Sequence, residues 1–184
     1  MIKVAVFGAK GRMGAAVCQA VEEAEDTELV AAIDSGDNRS AVLGADVIVD
    51  FTTPDAVMDN LSWAISHDIN TVVGTTGFDD ERYQALRDQL AAHPNTGCLV
   101  APNFSIGAVL MMHFAEQAAR FYESVEIVEL HHPNKVDAPS GTARTTATKI
   151  AAAREKAGLG EVPDATKSQL DGARGAVVDG IHIH

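Results

Sequence analysis

The sequence predicts an α/β fold: a parallel sheet wound on both faces by helices, followed by a smaller α+β part. Three observations predict it. Short apolar runs alternate with amphipathic stretches from the N-terminus to about residue 104. A glycine-rich turn, Gly8 to Gly14, joins the first apolar run to the first amphipathic stretch. Beyond residue 104 this alternation gives way to long amphipathic segments and Gly/Pro-punctuated chain. Parallel strands need crossovers, and the crossover helices cover the sheet, so strand–helix alternation is the pattern of a parallel sheet.

The elements follow in order. Ile2–Phe7 reads as a strand. Arg12–Glu25 places Met13, Val17 and Val21 four apart, a helical stripe. Leu29–Ile33 and Val47–Val49 are strands that end at Asp34 and Asp50. Ala56–His67 carries Val57, Leu61 and Ile65 on one helical face. Thr71–Val73 is a strand running into Gly74-Thr75-Thr76-Gly77. Asp79–Ala92 is a helix with Tyr83, Leu86 and Leu90 in line and an acidic start that suits a helix N-terminus. Gly97–Val100 is a strand ending in Ala101-Pro102-Asn103-Phe104. Ile106–Phe121 is a long helix with Ile106, Leu110, Phe114 and Ala118 aligned. Val125–Leu130 is a strand, Gly141–Lys156 a helix, and Ala176–His184 a terminal strand. The boundary falls near Asn103, giving domains 1–102 and 103–184.

The 184 residues are 46% hydrophobic and 22% charged, enough to bury a core. That composition excludes a disordered tail, a collagen-like repeat or a disulfide scaffold. No apolar run approaches the length of a membrane span, and the apolar N-terminus is too short for a signal peptide, so a cytoplasmic location is expected. The net charge of −12 argues against nucleic acid or an anionic membrane as partner. It leaves room for a small anion, which local cations and a helix N-terminus can hold. Cys18 and Cys98 read as free thiols, and no metal site is expected. Trp63, Met111 and Met112 read as packing residues; His67, His93 and His113 read as surface or packing residues.

Gly8-Ala9-Lys10-Gly11-Arg12-Met13-Gly14 stands between a strand and a helix. Glycines there let the backbone approach a pyrophosphate, which the helix N-terminus stabilises. Asp34 follows Gly14 by twenty residues, where a carboxylate can accept hydrogen bonds from an adenine ribose. This is a Rossmann-type dinucleotide-binding reading. Lys10 and Arg12 suit the 2′-phosphate of NADP, whereas Asp34 suits the hydroxyls of NAD; the conflict points to NADH or NADPH. Gly74, Thr75 and Thr76 after one strand, and Ala101, Pro102, Asn103 and Phe104 after another, lie where such sheets bind ligands.

The second part holds Glu129-Leu130-His131-His132 through Lys135-Val136-Asp137-Ala138-Pro139-Ser140-Gly141-Thr142-Ala143. Histidine can deliver a proton near neutral pH, and lysine can neutralise or protonate an anion. Ser140 is a good N-cap, and the N–H groups behind it can bind a carboxylate. A zinc site at His131 and His132 has no third ligand at suitable spacing.

Together these segments, with Asp50-Phe51-Thr52 and Pro102-Asn103-Phe104-Ser105, resemble the 4-hydroxy-tetrahydrodipicolinate (dihydrodipicolinate) reductase family, most of all its actinobacterial branch. The resemblance implies reduction of a cyclic imine-type dicarboxylate by NADH or NADPH on the diaminopimelate route to lysine. It implies His131 as main proton donor, with Lys135 assisting. It implies that His132, Ser140, Gly141 and Thr142 hold substrate carboxylates, and it adds Phe51 to the cofactor-binding residues. It further implies a homotetramer when the chain is full-length. Family chains continue past Gly180-Ile181-His182-Ile183-His184, so the second domain, for substrate binding and oligomerisation, is expected to be incomplete here. Val178–His184 is then expected to lack a following neighbour, leaving an exposed edge and a short chain that is unstable or sticky. Two alternatives are a catalytically inactive NAD(P)-binding fragment and another Rossmann reductase. A semialdehyde dehydrogenase needs a nucleophilic cysteine in the second domain, and both cysteines precede residue 104.

Overall fold

The computed structural model describes residues 1–101, 103–135 and 137–184. Pro102, expected to bind cofactor, and Val136 lie outside the described residues. The chain forms two compact units, Met1–Pro102 and Asn103–His184.

In the first unit, five strands make one sheet: β1 (Ile2–Phe7), β2 (Thr27–Ile33), β3 (Val47–Asp50), β4 (Asn70–Val73) and β5 (Cys98–Val100). Their order is β2-β1-β3-β4-β5, and all pairs are parallel. The helices between them are α1 (Arg12–Glu23), α2 (Val57–Ser66) and α3 (Asp80–Ala92); a 3₁₀ turn, Arg39–Val42, lies between β2 and β3. Central β1 is buried from Val4 to Phe7, as a strand covered on both faces must be. Edge strand β2 alternates instead, with Glu28 and Val30 exposed. Two apolar clusters form the core, one around Phe7, Val42 and Ile48, the other around Val57, Leu61, Ile65 and Val73. Asp79 caps α3, accepting from Arg82 N–H at 2.9 Å. The stripe expected on α1 is only partly covered: Met13 is exposed, Val17 and Val21 are half-buried, and only Gly14 is buried.

The register levels the sheet's carboxyl edge. Phe7 pairs with Ile33 and with Asp50, Asp50 with Val73, and Val73 with Val100. Gly8, Asp34, Phe51, Gly74 and Ala101 are therefore each the first residue past a strand, along one edge. After β1 the chain goes to β2 on one side; after the 3₁₀ turn it returns to β3 on the other. A crevice forms at such a switch in strand order.

The second unit contains α4 (Ile106–Ala119), β6 (Glu126–Ile127), α5 (Gly141–Lys156), β7 (Ala176–Val178) and β8 (Ile181–Ile183). Three expectations are corrected. The strand expected over Val125–Leu130 is reduced to two ladder residues, because the chain leaves the sheet after Glu129 N–H donates to His184 C=O. The single terminal strand is a hairpin. Asp179 and Gly180 both adopt positive φ, 49° and 80°, and an Asp-Gly pair makes the tight turn whose twist matches the strands. That fold-back makes β8 the central strand, paired with β6 and β7, both earlier in the chain. On α4, Ile106, Leu110 and Phe114 are exposed, whereas Met112 and Ala119 are buried. The small face wins because Ala119 packs in one cluster with Ala143, Ala147 and Ile150 of α5, and alanines let two helices approach closely. Buried Arg154 donates to the carbonyls of Tyr122, Glu123 and Gly160, tying the end of α5 to the chain after α4.

Among the described residues no helix is long and apolar enough to cross a membrane, and no group of three or more His, Cys, Asp or Glu could hold a metal. Cys18 and Cys98 are free and half-buried, and burial pushes both thiols up.

Candidate functional site

The first unit has a cavity of about 640 Å³ at the β1/β3 switch. Gly8, Lys10, Gly11, Asp34 and Phe51 line it, with Asp37, Arg39, Thr52 and Asn60. The glycine loop is fixed by its own backbone: Gly8 and Ala9 N–H both donate to Ile33 C=O, and Gly11 N–H donates to Gly8 C=O at 3.0 Å. Gly8 needs to be glycine twice over. Its φ is +75°, and a Cβ there would stand 2.7 Å from the Phe51 carbonyl oxygen. A Cβ on Gly14 would collide with the Gly8 carbonyl, and one on Gly74 with the Phe51 ring.

Asp34 accepts from Ser35 N–H at 2.8 Å and from Lys10 N–H at 2.9 Å. The Ser35 bond first, then the Lys10 bond, hold its carboxyl below the usual carboxylate range. Gly11 offers no side-chain cap to α1, and the first turn carries no acidic residue. The N-terminal N–H groups of α1 are thus left for an anion. The open glycine cradle, that helix N-terminus and the Asp34 carboxylate fit a dinucleotide.

Asp50 lies beneath this site. It is 1% exposed and accepts hydrogen bonds from Thr52 N–H and Oγ1, Asn60 Nδ2 and Thr75 Oγ1, at 2.7 to 3.0 Å. The Thr75 hydroxyl is therefore spent on Asp50. Ala9, Arg12, Met13, Gly14, Gly74, Thr75, Thr76 and Ala101 do not line the cavity. Asp37, Arg39, Asp50 and Asn60 carry roles that sequence reasoning missed. For Arg39 the signal was faint, a lone cation in a polar loop.

The second unit has its own cavity, about 470 Å³, lined by Asn103, Met111, Glu129, His131, Ser140 and Thr142 among others. Ser140 caps α5, its Oγ accepting from Ala143 N–H at 3.1 Å. Glu129 accepts from His131 Nε2 at 2.9 Å with one oxygen and from Ser140 N–H at 2.8 Å with the other. Burial works to raise its pKa, but the bonds from Ser140 and then His131 outweigh that and hold it below the usual range. Asn103 donates to Thr142 Oγ1 at 3.0 Å and accepts from Ser105 N–H at 2.8 Å. Asn103 and Phe104, expected with the cofactor-binding residues, thus belong to the second unit. Lys135 Nζ pairs with Asp137 at 2.5 Å, and that bond holds the Asp137 carboxyl below the usual range. His132 Nδ1 accepts from Asn134 N–H. Neither Lys135, His132 nor Gly141 lines this cavity, whereas His131, Ser140 and Thr142 meet there.

Residues 2–104 match the family described as "Dihydrodipicolinate reductase, N-terminus", and residues 107–184 match "Dihydrodipicolinate reductase, C-terminus". The chain belongs to the dihydrodipicolinate reductase family. Among its relatives, 4-hydroxy-tetrahydrodipicolinate reductase of Cutibacterium acnes is 91% identical over 184 residues, all of this chain and 75% of that protein. The enzyme of the same name from Thermobifida fusca is 67% identical with the same coverage. A dipicolinate-bound dihydrodipicolinate reductase from Paenisporosarcina sp. TG-14 superposes with a TM-score of 0.78 at 39% identity, covering all of this chain and 77% of that one. The chain thus spans about three quarters of the relatives' length. The scyllo-inositol dehydrogenase of Lactobacillus casei, 13% identical over 64% of this chain and 42% of its own, has a TM-score of 0.52 and shares the fold alone. As a dihydrodipicolinate reductase family member the chain is an NAD(P)H-dependent oxidoreductase, and the matches give the inactive-fragment alternative no support over that reading.

Proposed function

We propose that the protein reduces the cyclic imine-type dicarboxylate derived from 4-hydroxy-tetrahydrodipicolinate to tetrahydrodipicolinate with NADH or NADPH. The observation that carries this reading is the second cavity, where a histidine stands beside the N-terminus of α5. Histidine is a proton donor suited to neutral pH, and free N–H groups at a helix start hold a carboxylate. The first turn of α5 itself carries no acidic residue, and with Ser140 N–H given to Glu129 and Ala143 N–H to Ser140 Oγ, the N–H groups of Gly141 and Thr142 are those left for a carboxylate. Dipicolinate, bound in the Paenisporosarcina relative, is itself a ring with two carboxylates.

The roles divide as follows. The nicotinamide cofactor, when bound, supplies a hydride. Gly8, Ala9, Lys10, Gly11, Arg12, Met13 and Gly14 form the loop for the pyrophosphate, and Asp34 takes the ribose hydroxyls. Phe51, Gly74, Thr75, Thr76, Ala101, Pro102, Asn103 and Phe104 belong to the cofactor side of the site, by family motif. His131 delivers the proton that balances hydride addition, and Lys135 assists once released from Asp137. His132 and Ser140, Gly141 and Thr142 at the start of α5 hold the substrate carboxylates, through the N–H groups of Gly141 and Thr142, since Ser140 N–H is taken by Glu129. The protein works in the cytoplasm as a homotetramer.

The test is loss of reduced-nicotinamide absorbance with freshly generated substrate. Wild-type protein turns over; the His131→Ala, Lys135→Ala double variant loses at least about 100-fold in kcat. Undiminished turnover in the double variant would sink the proton-donor assignment.

A further inference from the structure

Glu129 has no role in the reading above, although it occupies the centre of the second cavity's polar contacts. Its two oxygens do two different jobs. One accepts from His131 Nε2 and the other from Ser140 N–H, eleven residues away at the start of α5. In a capping box the N-cap's own N–H is satisfied by a Glu or Gln at the third helical position. Here that position is Ala143, which has no such group. Glu129 reaches across from the exit of β6 and supplies the missing acceptor.

We infer that Glu129 is the positioning residue for His131, fixing its ring on the start of α5 and keeping a proton on Nε2. A carboxylate is acceptor-only, so Nε2 must donate to it. The neutral ring is then the Nε2–H tautomer with Nδ1 as acceptor, and it is the doubly protonated ring that gives away a proton, the one on Nδ1. No described residue hydrogen-bonds Nδ1. The same carboxylate sets the distance between proton donor and helix N-terminus, because it holds both. Among the residues lining the cavity the titratable groups are Glu126, Glu129 and His131. Glu126 is engaged elsewhere, by Arg174 and His184. Glu129 also acts through space on Asp137, which is paired with Lys135. The facing residues of α4 and α5, Met111, Ala115, Thr142, Ala143, Thr146 and Ile150, bring no charge. Glu129 is thus the only cavity-lining carboxylate hydrogen-bonded to the ring among the described residues.

The inference rests on the proposed role of His131, and its test separates the two. Glu129→Gln offers one oxygen and one NH₂ where two donors wait. If the oxygen stays with Ser140 N–H, the NH₂ faces Nε2 and drives the ring to the Nδ1–H tautomer. The ring ¹⁵N shifts of His131, assigned with a His131→Asn control, read this directly. Wild type is expected to show Nε2–H in the neutral ring, and Glu129→Gln to shift the population to Nδ1–H. In turnover, Glu129→Gln is expected to lose at least about 100-fold in kcat, the lower end of what a positioned general acid contributes, with KM within about threefold. Glu129→Asp, a methylene shorter but still acceptor-only, is expected to retain the wild-type tautomer and recover part of kcat. A neutral wild-type ring carrying its proton on Nδ1 would overturn the inference, and so would an unchanged tautomer or kcat within twofold in Glu129→Gln. The wild-type tautomer needs no variant to fold. Absence of wild-type turnover would instead count against the functional reading, leaving the ring measurement to decide on Glu129.

Discussion

Asp34 at the end of β2 accepts the backbone N–H of Lys10 at 2.9 Å, so the carboxylate proposed for the ribose and the glycine loop are one fastened unit. The Lys10 side chain goes elsewhere, its Nζ 3.7 Å from Asp37. Arg39, the other cation of the cavity, pairs with Asp59 at 2.5 Å. A 2′-phosphate entering here meets a carboxylate held in its charged form and two cations that already have partners. Asp34→Ala should therefore shift the ratio of NADPH to NADH affinity at least about tenfold toward NADPH, by removing a like charge. Lys10→Ala should shift it the other way. Nucleotide titrations followed by fluorescence read both ratios, and an unchanged ratio in both variants would remove these residues from cofactor selection.

Gly14 carries the first turn of α1 across the Gly8 carbonyl. A methyl group there has backbone on its far side, which cannot rotate away. Gly14→Ala should cost about 1–3 kcal/mol of stability, the range for overpacking, and should weaken nucleotide binding as the loop is pushed open. Gly160→Ala is the control for a merely exposed glycine, since nothing lies within 4 Å of its Cβ position and it is far from the glycine loop in sequence. Urea unfolding measures stability, and a nucleotide affinity of Gly14→Ala equal to wild type would separate packing from binding.

The first unit was legible because its signals are local. Gly8 and Gly14 bracket a turn, Asp34 ends an apolar run, and helical stripes mark α2 and α3. The second unit was less so, because its structure depends on what meets across the chain. Nothing within Ile106–Phe121 says that Ala119, not Phe114, faces α5; that is decided by the alanines of the other helix. The Asp179-Gly180 turn was present in the sequence as a hairpin signal, hidden inside an apolar run read as one strand. Glu129 and Asp50 were invisible as hubs, because their distant partners, Ser140 and Thr75, lie eleven and twenty-five residues away and no spacing rule connects them.

Asp50 is the hub that joins β3, α2 and the turn after β4. Asp50→Ala removes the acceptor of four hydrogen bonds and strands the Asn60 amide and the Thr52 and Thr75 hydroxyls. Unsatisfied buried polar groups of this kind cost about 2–4 kcal/mol together. Asp50→Asn keeps the shape but points an NH₂ at other donors, so it should recover only part of the loss. Because Thr52 lines the cavity proposed for the nucleotide, both variants should also weaken nucleotide binding, and the order Ala worse than Asn should hold for affinity and for urea midpoint alike. Equal midpoints for wild type and Asp50→Ala would show that the buried network contributes nothing.

Arg174 connects the chain before β7 to two carboxylates, with Nη2 2.7 Å from Glu126 and Nε 3.6 Å from Asp164. His184 meets the same Glu126 at 3.1 Å, and His182 the same Asp164 at 3.5 Å. Both carboxyls are held below the usual carboxylate range. For Glu126 the first cause is the hydrogen bond from Arg174. For Asp164 it is the bond from Thr166, with Arg174 and His182 adding charge. A folded-state pKa below the unfolded one means that the unfolded chain binds protons first as pH falls. The stabilisation is thus complete above the ordinary carboxylate range, near pH 4, and is lost as pH falls through the lowered folded values. Arg174→Ala removes the main cause at Glu126 and a lesser one at Asp164. Its melting temperature should lie below wild type at pH 7, and the gap should narrow as pH falls below the ordinary carboxylate range and through the lowered folded values. Added salt should narrow the neutral-pH gap as well, because these groups are partly exposed. A gap that stays constant between neutral and acid pH would mean that Arg174 acts through packing of its stem alone.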